Sequence, residues 1–129
     1  MTRWLLPIAA VLAWLFGAML ILAPASMFAP AGIELTDKVA TIAQNQGAAL
    51  IAVGVINFLA RRLTESPALR AVLWGNLVLQ ALSLAVVVRA LALGILPPQS
   101  APSVAIHLVL GALFAISLWR LRAAPVPGR

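Results

Sequence analysis

Residues 4–23 read "WLLPIAAVLAWLFGAMLILA" and contain no charged side chain. As an α-helix this stretch rises about 30 Å, the thickness of the hydrocarbon core of a bilayer. It therefore predicts a membrane-spanning helix, and three further stretches repeat the signal. Residues 39–60 lie between Thr36, a helix N-cap, and the charged pair Arg61 and Arg62. Residues 67–93 follow Ser66 as a cap and Pro67 in the first turn, where a missing amide hydrogen costs least. Gly94 and the pair Pro97 and Pro98 stop that helix, and Ser103 is the expected cap of a last span, 104–121. The spans are too long and too unalternating for barrel strands. Short loops make neighbours antiparallel, so the expected fold is all-α: one up-down four-helix transmembrane bundle over residues 1–129 with a short polar tail at 122–129.

Composition agrees. Of the 129 residues 64% are hydrophobic and 9% charged, where a soluble domain carries about 25% charged residues. The mean hydropathy is +1.08. A net charge of +6 invites a nucleic-acid reading. The basic residues are instead scattered between apolar spans with no recognition motif, so no nucleic-acid partner is expected. The chain has no cysteine, no tyrosine and one histidine, which excludes disulfides and thiolate metal sites and leaves little with which to build a metal cage. Neither a metal nor a cofactor is expected.

Orientation follows from the basic residues. Arg3, Arg61, Arg62, Arg70, Arg120, Arg122 and Arg129 fall at one end, and Lys38, beside Glu34 and Asp37, at the other. The positive-inside bias then makes both termini cytoplasmic, with Trp4 and Trp119 at the cytoplasmic interface. Arg3 and "APA" at 23–25 resemble signal-peptide features, but an apolar stretch longer than a secretory h-region favours a retained first helix.

Polar residues inside the spans are either packing contacts or site residues. Counted from the helix ends, Gln44, Asn45, Gln46, Arg89 and His107 lie toward the outer leaflet, under a loop holding Glu34 and Asp37. Glu34, Asp37, Gln44, Gln46, Arg89 and His107 thus form a candidate cluster. It is suited to a lipid headgroup, a quinone-like carbonyl or an anionic metabolite, because guanidinium is a fixed fork of donors. Against this, Arg89 is close enough to its helix end to snorkel. At 100° per residue it also points away from the stripe of Asn76, Gln80 and Ser83. That stripe, and Asn57 on the same face as Gln46, read as interhelical contacts. Small residues mark close approach: Ala13 with Gly17 in the first span, Gly111 with Ala115 in the fourth, and Gly47 with Gly54 in the second. The first and fourth spans are the expected partners.

"LAPASMFAPAGIEL", "IAQNQGAALIAVGVINFLARR" and Arg89 before "LALGILP" resemble small bacterial four-helix membrane proteins grouped as a domain of unknown function and loosely similar to the DoxX-like superfamily. The resemblance covers residues 15–121 and implies a multi-pass protein of the bacterial cytoplasmic membrane, with no established reaction. Members often carry arginine where this chain has Gln44, so an anion role there is weakened.

The reading that fits these observations best is a non-enzymatic membrane protein. It would act as an accessory or scaffold subunit of a larger membrane complex, as a homo-oligomer, or as a binder of a small hydrophobic ligand. A homo-oligomeric transporter is an alternative, but the first span lacks the buried acid that proton coupling uses. A lipid-modifying enzyme using His107 with Glu34 or Asp37 is another, and it requires those groups within reach of one substrate.

Overall fold

The computed structural model describes residues 2–123, with side chains described for 2–121. Among these all regular structure is helical, without strands. It forms α1 (Thr2–Leu22), the short α2 (Pro24–Phe28), α3 (Asp37–Ala60), α4 (Pro67–Ala92) and α5 (Pro102–Ala123), with single 3-10 turns at Ala29–Ala31 and Pro98–Ser100. Four of these helices are long and apolar enough to cross a membrane, the mark of a multi-pass membrane protein. Residues 124–129, most of the expected polar tail and including Arg129, lie outside the described residues.

Local chemistry sets the boundaries. Ala23 leaves the helical region, with φ −143° and ψ 54°, because the ring of Pro24 crowds the preceding residue out of αR. The Thr36 hydroxyl accepts the Val39 amide at 3.3 Å, and the Ser66 hydroxyl accepts the Leu69 amide at 3.2 Å, so both expected caps form. Gly94 takes φ 68°, a left-handed exit from α4 that glycine makes without a Cβ clash. Ser103 is not the cap of the last span. The helix starts two residues earlier than expected, at Pro102, which is suited to a first turn, and the Ser103 hydroxyl donates to the Ser100 carbonyl at 2.7 Å.

The four long helices are arranged as two hairpins. α1 packs chiefly on α3 and α4 chiefly on α5, while contacts between the two pairs are sparse. The tightest seam is inside the first hairpin. A Cβ placed on Gly17 would come within 2.8 Å of the Gly47 carbonyl oxygen, and one on Gly47 within 2.7 Å of the Gly17 carbonyl oxygen. The two backbones therefore touch through paired glycines. Gly54 leaves room for the indole of Trp14, which also stacks at a tilt on Phe58 with ring centroids 5.3 Å apart.

This corrects the expected pairing of the first and fourth spans. Gly17 meets α3 rather than α5. Ala13 lies on the cavity between the hairpins, Ala115 is exposed, and Gly111 packs toward Gln80 on α4.

The hairpins do meet at the arginine-rich end. Leu5, Leu6 and Ala9 of α1, Ala60 of α3, Leu69 and Leu73 of α4, and Leu110, Phe114 and Leu118 of α5 form one buried apolar cluster. Arg70 closes this end by donating to the Leu121 carbonyl at 3.1 Å and pairing with Glu65 at 2.7 Å. Away from it the hairpins part, and the space between them is the candidate site.

Candidate functional site

Above the apolar cluster the cleft begins with a pair of amides. Asn57 Nδ2 donates to Asn76 Oδ1 at 2.9 Å, and Asn76 Nδ2 donates back to Asn57 Oδ1 at 2.7 Å. Asn76 Nδ2 also donates to the Val72 carbonyl at 2.9 Å. Asn57 belongs to α3 and Asn76 to α4, so this ring ties the two hairpins together at the base of the cleft. Both residues are buried, and the reciprocal geometry offsets the cost of taking two amides out of water.

One helical turn farther along α4, Gln80 meets His107 of α5. The imidazole Nδ1–H donates to Gln80 Oε1 at 2.7 Å. In the neutral ring this leaves Nε2 as an acceptor, and the Gln80 amide keeps its own N–H donors. No buried side-chain nitrogen or oxygen among the described residues lacks a partner, and both residues line the cavity. A donor and an acceptor are thus offered side by side near the middle of α4.

The cavity has a volume of about 870 Å³. Its walls are mostly apolar, from residues such as Phe16 and Leu20 of α1, Leu50 of α3 and Val86 of α4, with Gln46 and Ser83 adding polar atoms higher up. Among the described residues no aspartate, glutamate, lysine or arginine lines it. The mouth is bordered by the two 3-10 turns, through Pro30, Ala31, Gln99 and Ser100. They touch across it, where Gln99 Nε2 donates to the Pro30 carbonyl at 3.4 Å.

Only part of the cluster expected from the sequence is brought together. His107 and Gln46 line the cavity. Gln44 does not; it is exposed and donates to the Ile21 carbonyl at 3.4 Å, a contact within the first hairpin. Glu34, Asp37 and Arg89 are exposed and lie off the cavity, and the one ion pair among the described residues is Arg70–Glu65. Arg89 is nine residues beyond Gln80, roughly 13 Å along the helix axis, and on another face.

The expected depth of His107 also changes. It sits five residues into α5, yet it bonds a residue twelve positions before the end of α4. The last helix therefore starts about 10 Å short of the C-terminal end of α4, and His107 lies beside the middle of α4 rather than under the first loop.

The stripe of Asn76, Gln80 and Ser83 does face the interior. All three border the cavity rather than only joining helices. The shared face of Gln46 and Asn57 was the available sequence signal for it; the apolar wall of α1 carried none, since apolar residues line every face of that helix.

Among the described residues no group of three histidine, cysteine or acidic side chains is placed to hold a metal. No family model, curated protein or solved structure matches this chain.

Proposed function

We propose that this protein is a non-enzymatic membrane protein that binds a small, uncharged, lipophilic ligand in the cleft between its hairpins. The observation that carries this reading is the Gln80–His107 pair, which presents an acceptor and a donor within a mostly apolar cavity of about 870 Å³. A pocket of this size with few, convergent polar groups suits a small molecule. With no charged side chain on its walls, a charged head at that depth would be left unpaired at high cost. A hydroxyl or carbonyl head would reach the Gln80 amide or the His107 Nε2, and the apolar body would lie along α1 and α4 toward the mouth.

On the same reading the protein sits in the bacterial cytoplasmic membrane with both termini cytoplasmic, as the arginine bias favours. It would belong with the four-helix proteins it resembles. Catalysis by His107 with Glu34 or Asp37 is disfavoured, because neither carboxylate lines the cavity that holds the imidazole.

The test is purification in nanodiscs followed by native mass spectrometry of what remains bound. The expected result is one defined lipophilic molecule, distinct from the bulk phospholipid, retained by the wild type and lost in Gln80→Leu and His107→Phe. Recovery of bulk phospholipid alone would overturn the reading. A stoichiometric protein partner with an empty cleft would replace it by the accessory-subunit alternative.

A further inference from the structure

A second pocket, of about 300 Å³, lies at the opposite end of the molecule and is bounded by Arg3, Trp4 and Pro7 of α1 and by Arg61 and Arg62 at the end of α3. Three arginines border this one space. The one ion pair among the described residues, Arg70–Glu65, does not touch it. Arg61 is held in place: its guanidinium lies 3.4 Å from the centroid of the Phe58 ring and donates to the Phe58 carbonyl. That carbonyl is at the negative end of α3, so the helix end is already matched by Arg61. Arg3 and Arg62 are exposed and have no acidic neighbour in the pocket.

We infer that this pocket binds the phosphate of an anionic phospholipid headgroup. Guanidinium forks match phosphate oxygens through paired, charge-assisted hydrogen bonds, and the first turn of α1 adds the positive end of a 21-residue helix. The same chemistry would accept a free phosphate, but the position favours lipid. The pocket is at the end of two membrane-length helices, and the indole of Trp4, 73% exposed, borders it. An exposed tryptophan at such a place prefers the headgroup region. The ligand would bridge α1 and α3 and reinforce the first hairpin opposite its loop. This site is separate from the cleft and stands or falls without it.

The experiment uses the full-length protein in nanodiscs of phosphatidylcholine with phosphatidylglycerol, delipidated stepwise and followed by native mass spectrometry. One phosphatidylglycerol should survive after phosphatidylcholine is gone. Arg3→Gln and Arg62→Gln, both changes at exposed positions, should each lower its occupancy roughly fivefold. Arg120→Gln removes the same charge from the same end but outside the pocket, and should leave occupancy unchanged; circular dichroism checks that all three variants fold. An equal loss in Arg120→Gln would overturn the inference in favour of diffuse surface charge. So would retention without headgroup preference. Displacement of the lipid by inorganic phosphate at equal concentration would overturn its lipid character, leaving a site for a free anion.

Discussion

The two ends of this bundle are built from the same four long helices, yet they are packed differently. At the arginine-rich end all four contribute to one apolar cluster, in which Phe114 and Leu73 are completely buried. At the loop end the hairpins separate around a cavity, and across its mouth the described hydrogen bond is a long one at 3.4 Å between Gln99 and Pro30. The change occurs over a single helical turn of α4. Asn76 is consumed by its reciprocal bonds to Asn57, whereas Gln80 bonds His107 and retains donors of its own. Cohesion and the open cavity are thereby assigned to different levels of the bundle, so a change at one end should leave the other largely intact.

The largest expected contrast is chemical accessibility. The chain contains no cysteine, so single replacements report without background. Ser83→Cys, on the cavity, should react with a small thiol reagent at least about a hundredfold faster than Ser117→Cys. Ser117 is 1% exposed, and labelling there requires an opening that costs on the order of 3 kcal/mol. Similar rates would mean that the closed end is not closed.

Next in size is Phe114→Ala, which should cost about 3–5 kcal/mol in a reversible unfolding assay in bicelles. Leu82→Ala, at an exposed position bordering the cavity, should cost under about 1 kcal/mol. Equal costs would erase the distinction between the ends. Smaller again is the coupling across the base of the cleft. A double-mutant cycle of Asn57→Ala and Asn76→Ala should give an interaction energy of roughly 0.6–2 kcal/mol, and a value of zero would remove the amide ring as the link between hairpins.

What the sequence made legible divides along the same line. The spans were readable because length, charge and caps are local: Thr36, Ser66 and Gly94 act where their side chains or backbone preferences require. The inward face of α4 was readable too, since Asn76, Gln80 and Ser83 recur at helical spacing. Helix partners were not. A pair such as Ala13 and Gly17 marks a narrow face but says nothing of what fills it, and Gly17 meets Gly47 instead of α5. Depth failed for a related reason. Counting from helix ends assumes that all spans start level, and α5 does not, so His107 met Gln80 and missed Glu34, Asp37 and Arg89.

Arg89 supplies the smallest expected effect and the sharpest check on that last point. A guanidinium in the outer half of a membrane helix would be costly to remove if it anchored a buried ion pair, by about 3–5 kcal/mol. Here it is exposed, on a face of α4 away from the cavity, and outside the described ion pair. It is also within a turn of the helix end, where its alkyl stem can reach the headgroups. Arg89→Gln should therefore change stability by no more than about 0.5 kcal/mol and leave ligand retention in the cleft unaltered. Measured beside His107→Phe in the same nanodiscs, loss of ligand in both variants would restore arginine to the site and deny that polarity in the cleft is confined to uncharged groups. Loss in His107→Phe alone would locate recognition at the Gln80–His107 pair.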